Sequence, residues 1–446
     1  MAQLAGGVAA KRALGPWMST ALVIGNMIGS GVFLLPASLA AYGGTSIVGW
    51  LFTTVGALLL ALVFARLGRA FPKIGGPYAY SRAGFGDVIG FQVAWGYWIA
   101  IWAGNAAIAI AFAGYLGYFW PAIAGSPVLA AIVAIAAIWL LTVVNAVGMR
   151  PAGIVQLLTT IAKLLPLVGI ALAGVFFFDS AAFSPFNPTQ GSAFSAVTSV
   201  AALTLWAFIG LESATIPADD VDDPSQTIPR STIIGTIATA AVYILGTVAV
   251  MSVVPRDALT NSTAPFADAA AAMFGSWAGD VVAIGALFAT FGCLNGWILL
   301  QGQIPLAAAR DGLFPAAFGR VSASNTPVFG LVMSSVLVTI LAVLNYNARL
   351  VDAYNFFLLL ATMTTLVPYV FTTMAELMLF LTERARFGRL GGSAIIALLA
   401  FAYSLWALYG AGAEVVLWGT LLLLAGLPVY VWMRWHEPRI APGAAE

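Results

Sequence analysis

The stretch Ile24–Pro36, which reads IGNMIGSGVFLLP, decides the architecture of this chain. It is apolar enough to cross a membrane, but three glycines and a serine interrupt it at Gly25, Gly29, Ser30 and Gly31. Where a helix unwinds inside a bilayer, each N–H or C=O group left free costs free energy unless another group satisfies it. An apolar segment broken by glycine therefore indicates a place where free peptide groups have a use.

A second stretch, Ile209–Pro217, repeats this pattern with the sequence IGLESATIP. In both stretches an Ile-Gly pair is followed by a proline eight positions after the isoleucine, so that Ile28 and Pro36 correspond to Ile209 and Pro217. Two glycine-broken helices at corresponding places in two halves of a chain are the best sequence indication of a transporter's binding site.

The composition places the chain in a membrane. Of its 446 residues, 61% are hydrophobic and only 8% are charged, whereas a soluble domain carries about 25% charged residues. The single cysteine, Cys293, excludes an internal disulfide framework. The single histidine, His436, excludes histidine-based metal sites and catalytic triads, so we expect neither a cofactor nor an enzyme. The net charge of +1, with no basic stripe, excludes nucleic acid as an expected partner.

Apolar runs of about 20 residues, the length that spans a bilayer as a helix, occur twelve times. The chain is therefore predicted to be an all-α membrane protein. The predicted spans cover residues 16–41, 46–70, 87–116, 126–147, 151–178, 192–217, 229–254, 277–307, 327–346, 350–373, 393–411 and 415–434.

The broken stretches lie in the first and sixth spans, which indicates two repeats of five helices. The fifth and tenth spans agree, because Lys163–Pro166 (KLLP) corresponds to Thr365–Pro368 (TLVP). An odd number of helices per repeat inverts the second repeat, as in secondary transporters. The alternative is that Gly and Pro are simply common in membrane helices. The predicted divisions are a tail at 1–15, repeats at 16–178 and 192–373, two last spans at 393–434, and a tail at 435–446.

The basic residues predict the orientation, because Lys and Arg are enriched in cytoplasmic loops. If both termini are cytoplasmic, only Arg256 and Arg349 of the eighteen Lys and Arg residues fall outside, and Lys163 lies within the membrane. We therefore expect a multi-pass protein of a bacterial-type inner membrane, with the lipid bilayer as its surroundings and both termini in the cytoplasm.

The peptide groups of the two breaks predict what the site holds. Amides at Ile28–Gly31 could bind a carboxylate through hydrogen bonds and the helix dipole. Carbonyl groups at Ile209–Gly210 could accept from an ammonium. An α-amino acid carries both groups, so the expected partner is a small amino acid or amine.

Two charged residues lie inside apolar spans. Glu212 is in the middle of the sixth span, where an acid costs about 2.5–3.5 kcal/mol on insertion scales. It either senses a substrate cation or a proton, or is a protonated structural acid. Lys163 lies about a dozen residues into the fifth span, too deep for easy snorkelling. It either replaces a bound sodium ion as a fixed charge beside the unwound helix, or only pairs with backbone carbonyls.

Four further residues stand out by position alone. Trp206 lies two turns before Glu212, and Trp297 lies in the middle of the eighth span. An aromatic face could hold a substrate cation or close over it, although most tryptophans in such chains form interfacial belts or pack. Asn105 in the third span needs a polar partner, and Tyr97 lies on the same span.

These residues resemble the amino acid–polyamine–organocation family, and most closely its bacterial arginine/agmatine antiporter group. The resemblance implies a LeuT-like fold of twelve helices, with a five-plus-five inverted repeat, broken helices 1 and 6, and often a homodimer. The motifs that carry it are GNMIGSGVFLLPA (Gly25–Ala37), GGPYAY (Gly75–Tyr80), YWIAIWAGN (Tyr97–Asn105), LWAFIGLESA (Leu205–Ala214), Gly296-Trp297 and DGLFP (Asp311–Pro315).

The resemblance also implies roles for individual residues. Ser30 and Gly31 would hold the substrate carboxylate, and the Trp206 and Ile209 carbonyls with Asn26 would hold the α-amino group. The gates would be Tyr78, Tyr97, Trp206, Glu212 and Trp297. The full substrate-binding set would be Asn26, Ile28, Gly29, Ser30, Gly31, Ala100, Ile101, Asn105, Trp206, Ile209, Glu212, Trp297 and Ala361.

The chain departs from that group where a guanidinium would bind. Ile101, Ala361 and Ile108 replace more polar or more flexible residues, which makes the distal pocket apolar. Lys163 is instead similar to a lysine of sodium-independent, in some cases proton-coupled, members of the family. The expected function is therefore sodium-independent exchange of an amino acid for an amino acid or amine, such as arginine, agmatine or another polyamine. Proton-coupled symport of neutral or cationic amino acids is the alternative, and a channel or membrane enzyme the third.

Overall fold

The computed structural model describes residues 14–262, 264–344, 350–382, 391–410 and 413–436. Within these residues the regular structure is helical, with one isolated bridge between Leu14 and Val221. The predicted tails at 1–15 and 435–446 fall largely outside them. The helices are α1 (Pro16–Met27), α2 (Ser30–Ala40), α3 (Thr45–Ala70), α4 (Pro77–Phe85), α5 (Asp87–Phe119), α6 (Pro121–Ala124), α7 (Pro127–Val147), α8 (Met149–Ala173), α9 (Ala193–Leu205), α10 (Pro224–Val253), α11 (Arg256–Leu259), α12 (Pro265–Phe274), α13 (Ser276–Arg310), α14 (Val328–Leu344), α15 (Leu350–Thr382), α16 (Gly391–Gly410), α17 (Ala413–Leu424) and α18 (Gly426–His436).

The helices confirm the membrane prediction. In the described part of the chain, nine helices are long and apolar enough to cross a bilayer. Two shorter apolar helices, Val328–Val343 and Gly392–Leu408, and the two halves of the first span account for the remaining predicted spans. The chain is therefore an all-α integral membrane protein.

The first predicted break lies between α1 and α2. Helix α1 ends at Met27 because Ile28 (φ −79°, ψ 87°) and Gly29 (φ −126°, ψ −140°) leave the helical region. Helix α2 then begins at Ser30, and no side chain caps its N-terminus. The first amides of α2 therefore have no acceptor in a preceding helical turn.

The second break is longer than the sequence predicts. Helix α9 ends at Leu205, Gly210 adopts φ +114°, and short 3₁₀ turns continue to Asp220 before α10 begins. The expected sixth span at 192–217 is therefore α-helical only in its first half and continues in short 3₁₀ turns. The Thr215 hydroxyl bonds the Glu212 carbonyl at 2.7 Å, and such local side-chain bonds compete with helix formation. Pro217 also lacks an N–H for a helical bond.

The two breaks lie back to back. A Cβ atom added to Gly210 would lie 3.0 Å from the Asn26 Cβ and 3.2 Å from the Met27 nitrogen. The positive φ and this close approach both require glycine at position 210. Because the backbones touch here, the free peptide groups of both breaks face a common region of the protein.

Candidate functional site

A small cavity of about 20 Å³, enough for about one water molecule, lies between the two breaks. None of the described residues on its wall carries a charge, and most of the wall is apolar. The lining residues are Asn26, Met27, Gly29, Gly31, Ile108, Trp206, Ile209, Cys293 and Trp297. The wall thus combines backbone of the two breaks with side chains from α5 and α13.

Small residues let the site close tightly around the first break. A Cβ atom added to Gly29 would lie 2.5 Å from the Cys293 Sγ, and one added to Gly31 would lie 2.8 Å from the Trp206 Cδ1. The Trp206 indole therefore packs directly over Gly31, and the Cys293 thiol over Gly29. Glycine at both positions keeps the N-terminus of α2 open to the cavity.

Lys163 reaches the first break from α8. Its Nζ donates to the Gly25 carbonyl at 2.7 Å and to the Ile28 carbonyl, and the residue is fully buried. Thr160, one turn earlier on α8, donates to the Ala21 carbonyl at 3.2 Å. One face of α8 therefore holds α1 through its backbone, and the lysine ammonium occupies the carbonyl groups at the break.

Glu212 is the acidic counterpart at the second break. Its Oε1 accepts from the Tyr97 hydroxyl, and its Oε2 accepts from the Tyr369 hydroxyl at 2.5 Å and the Gly210 N–H at 3.2 Å. The residue is fully buried. Tyr97 lies 11 residues before the cavity residue Ile108 on α5, so this cluster lies between the cavity and the α4 end of the molecule.

Two side chains tie the breaks together. The Asn26 Nδ2 donates to the Ser213 Oγ at 2.9 Å. The Tyr243 hydroxyl lies 2.6 Å from the Met27 carbonyl oxygen and 2.9 Å from that of Ala207, one from each break. A phenol has one proton to donate, so it serves one carbonyl at a time.

The structure brings together part of the expected substrate set. Six of the named residues line the cavity: Asn26, Gly29, Gly31, Trp206, Ile209 and Trp297. The Trp297 Nε1 donates to the Asn26 carbonyl at 3.2 Å, which fixes its indole across the first break. Ile28 contributes its carbonyl to Lys163 rather than to the cavity, and Ser30 is the first residue of α2.

Besides Ile28 and Glu212, four expected residues do not reach the cavity wall. Ala100 and Ile101 are buried on α5, and Ala361 packs in a small cluster beside Trp206. Asn105 donates to the Gln301 Oε1 at 2.8 Å and so belongs to a polar contact between α5 and α13. Of the three residues expected to make the distal wall apolar, Ile108 lines the cavity, whereas Ile101 and Ala361 do not.

Several residues at the site were not expected from the sequence. Met27 and Cys293 line the cavity, and Tyr243 and Tyr369 bond the breaks and Glu212. A hydroxyl-bearing aromatic in the middle of an apolar span could have singled out the two tyrosines, because buried Tyr O–H groups usually find a partner. Cys293 carries no such signal, since a lone cysteine usually behaves as a small apolar residue.

Tyr78, the expected inner gate, lies outside the cavity on α4. Its hydroxyl donates to the Asp311 Oδ2 at 2.8 Å, and the Arg82 Nη1 lies 2.8 Å from the same oxygen. Burial and the bond to Asp311 raise the pKa of Tyr78 well above its ordinary value, so the phenol stays protonated and can donate. Arg310 and Asp219 form another ion pair nearby, at 3.6 Å. These contacts join α4 to the end of α13, and α13 to the turn that precedes α10.

The site contains no arrangement that suggests a metal. Within the described residues, no group of three or more His, Cys, Asp or Glu side chains could hold an ion. The chemistry of the site is therefore that of hydrogen bonds, two opposite buried charges and an apolar wall.

Comparisons with known proteins identify transporters as relatives of this chain. Residues 14–433 match the family model described as amino acid permease. The chain is 34% identical over 412 residues to the putrescine transporter PotE of Haemophilus influenzae, covering 92% of this chain and 94% of the relative. It is 35% identical over 365 residues to the cadaverine/lysine antiporter of Escherichia coli, covering 80% and 82%.

Solved structures show the fold. MhsT in complex with L-phenylalanine superimposes with a TM-score of 0.62 at 15% identity, over 88% of this chain and 97% of that one. A manganese transporter of Eremococcus coleocola does so with a TM-score of 0.60 at 13% identity, over 97% and 96%. The expected LeuT-like architecture with two broken helices is thereby confirmed. The chain belongs to the amino acid permease family, and it is an integral membrane transporter of the amino acid–polyamine–organocation class, not an enzyme.

Proposed function

We propose that this chain is a sodium-independent exchanger that carries an amino acid in one direction and an amino acid or its decarboxylated amine in the other. The observation that carries this proposal is the cavity between two helix breaks, one with a basic side chain beside it and the other with an acidic one. Lys163 and the N-terminus of α2 lie at the first break. Glu212 lies at the second break.

This arrangement is complementary to a zwitterion. The free amides that begin α2 suit a carboxylate, since helix N-termini bind anions. The carbonyl groups of the second break and the buried Asn26 Oδ1, which has no hydrogen-bond partner among the described residues, suit an ammonium. Trp206 and Trp297 flank the cavity and could close over the bound molecule.

Sodium independence follows from Lys163. Its ammonium occupies the Gly25 and Ile28 carbonyls, which are the oxygen ligands that an ion at the unwound helix would otherwise use. A fixed charge therefore replaces a co-transported one. We expect the same transport rate when choline replaces sodium in the medium.

Proton-coupled symport of neutral or cationic amino acids is the second candidate. The observation that favours it is the full burial of Glu212 beneath the cavity, held by two phenols and an amide. A carboxyl group in that position could exchange a proton when the cluster opens.

Transport by the purified protein in proteoliposomes separates the two candidates. Vesicles are loaded with unlabelled arginine, lysine, leucine, agmatine or putrescine, or left empty, and labelled amino acid is added outside. Exchange predicts uptake only where internal substrate is present. Symport predicts uptake into empty vesicles when a pH gradient is imposed. Uptake under neither condition, across the panel, contradicts both.

Two variants connect the function to this cavity. Glu212→Ala and Trp206→Leu should each reduce exchange by about tenfold or more, because Glu212 holds the Gly210 backbone of the second break and Trp206 lines the cavity. Trp277→Leu is the matched control, since Trp277 is 64% exposed at the start of α13. Normal exchange by both site variants would exclude the cavity as the substrate site.

We also propose a bacterial-type inner membrane location, with both termini in the cytoplasm, and a homodimer. The distribution of Lys and Arg supports the orientation, and the family resemblance supports the dimer. Accessibility of tags added to the two ends, in intact cells and in opened ones, tests the orientation. Chemical crosslinking in native membranes tests the dimer.

A further inference from the structure

We infer that Lys163 makes this transporter select substrates that carry a carboxylate and reject the corresponding decarboxylated amines. The inference rests on the proposed function and narrows it, because amino acids then become the preferred substrates in both directions. Lys163 would act as a specificity-determining residue through its charge, without touching the substrate.

The charge of Lys163 lies at the first break, close to the cavity. The Nζ atom is fixed by the carbonyls of Gly25 and Ile28, on either side of the last turn of α1. Gly29 and Gly31, the next residues along the chain, line the cavity. The ammonium is therefore separated from the cavity by little more than the backbone of the break, and it is fully buried, so solvent screens it weakly.

The N-terminus of α2 adds to the positive electrostatic potential that Lys163 produces at the first break. Its N-terminus, uncapped by any side chain, faces the break and carries the positive end of the helix dipole. A carboxylate placed there is stabilised by the amides, by the dipole and by Lys163. An ammonium placed there meets only N–H donors and a like charge, which is unfavourable in a low-dielectric interior.

The described cavity wall offers the ammonium groups of a diamine no acidic side chain. None of the described lining residues is charged, and the side chains of Ile108, Cys293 and Trp297 make much of the wall. Glu212 is not among the lining residues, and its Oε2 accepts from the Gly210 N–H at the second break. A diamine thus leaves the N-terminus of α2 and Lys163 without a counter-charge, which an amino acid supplies with its carboxylate.

The same geometry predicts what removal of the charge would do. In Lys163→Met, a variant of similar length, the Gly25 and Ile28 carbonyls lose their donor. They would then be free to accept from a cation. The variant should therefore gain affinity for amines while losing affinity for amino acids.

The experiment is competition against labelled substrate in proteoliposomes, with probes that differ only at the carboxylate. The probes are L-lysine, L-lysinamide and cadaverine, and as a second series L-leucine, L-leucinamide and isopentylamine. The amides fill the space of the carboxylate without its charge, and so separate charge from shape. In the unmodified protein we expect cadaverine to inhibit about tenfold more weakly than lysine or worse, and the amide to be intermediate.

In Lys163→Met, the inhibition constant of the amine divided by that of the amino acid should fall by about fivefold or more. Thr160→Val is the matched control, because Thr160 bonds an α1 carbonyl from the same face of α8 without a charge; its ratio should equal that of the unmodified protein. If Lys163→Met does not transport, the same ratio is measured as ligand-induced thermal stabilisation in detergent.

The proposed function and the specificity inference are contradicted by different results. Absence of transport or binding for the whole panel contradicts the proposed function. Transport of amino acids with cadaverine as effective as lysine in the unmodified protein overturns the specificity inference and leaves the proposed function standing. An unchanged ratio in Lys163→Met also overturns it.

Discussion

Asn26 and Ser213 join the two helix breaks directly: the Asn26 Nδ2 donates to the Ser213 Oγ at 2.9 Å, and both residues are buried. The Tyr243 hydroxyl makes a second connection, to the Met27 and Ala207 carbonyls. Side-chain hydrogen bonds, rather than hydrogen bonds within a helix, thus hold the two breaks at a fixed spacing. We therefore expect a change at one break to affect the other through these bonds.

The Asn26–Ser213 bond should matter for both stability and transport. Ser213→Ala leaves a buried Nδ2 donor unpaired, which should lower the free energy of unfolding by about 1–3 kcal/mol. It should also slow exchange several-fold, because the breaks lose their direct connection. Thermal unfolding in detergent and initial exchange rates measure the two effects.

Ser404→Ala is the matched control, since Ser404 is buried but donates to the Ala400 carbonyl of its own helix. An effect on exchange of the same size in both variants would mean that Ser213 acts only as a packing residue.

Tyr243→Phe should reduce turnover more than apparent affinity. The ring would remain packed against Trp50 and Phe208, but the Met27 and Ala207 carbonyls would lose their shared donor. Without it the breaks can adopt spacings that bind substrate but do not close over it. Kinetics of exchange against external substrate concentration, fitted for KM and maximal rate, test this.

Tyr118→Phe is the corresponding control, because the Tyr118 hydroxyl bonds Asp280 in an exposed position far from the breaks along the chain. A rise in KM at unchanged maximal rate in Tyr243→Phe would contradict a spacing role and indicate direct substrate contact.

The breaks themselves were predictable because their signals are local. Gly29 and Gly210 interrupt apolar segments: Gly29 lies between α1 and α2, and Gly210 adopts a positive φ in the stretch that follows α9. Lys163 and Glu212 were predictable as site residues because a charge in an apolar span requires a partner. The sequence therefore indicated both the architecture and the two charges without any long-range information.

Other features depend on contacts that no local pattern encodes. Asn105 was expected at the cavity, but Gln301 on α13 is close enough to bond it. Cys293 reaches the cavity because Gly29, distant in sequence, leaves room for its thiol. Tyr369 binds Glu212 only because α15 packs against α5 beside the second break. Which polar groups meet is decided by packing between helices, and this is what the spacing of residues cannot reveal.

The α4 end should open when Asp311 loses its charge. Asp311 accepts from Tyr78 and Arg82, so Asp311→Asn weakens both contacts and should favour a conformation open at that end. The lone Cys293 on the cavity wall reports the change. We expect a membrane-impermeant thiosulfonate, applied from the side that carries α4, to label it about fivefold faster than in the unmodified protein.

Asp280→Asn tests whether any loss of an acid would do the same, since Asp280 bonds Tyr118 away from α4. Cys293→Ser should abolish labelling. Equal labelling rates in Asp311→Asn and the unmodified protein would show that this network does not hold the α4 end closed. Faster labelling from the opposite side alone would show that it controls another conformation.

Gly29→Ala should eliminate substrate binding by closing the first break. The added Cβ would lie 2.5 Å from the Cys293 Sγ and 3.1 Å from its Cβ, so either Cys293 or the start of α2 must move. Cys293→Ala in the same chain removes the closer of the two clashes and should restore part of the binding. Gly114→Ala is the control, because a Cβ there meets nothing within 4 Å. Ligand-induced thermal stabilisation and exchange rates should follow the order unmodified, Gly114→Ala, double variant, Gly29→Ala. If Gly29→Ala alone binds and exchanges normally, the narrow space between α2 and α13 is not where the substrate carboxylate is held.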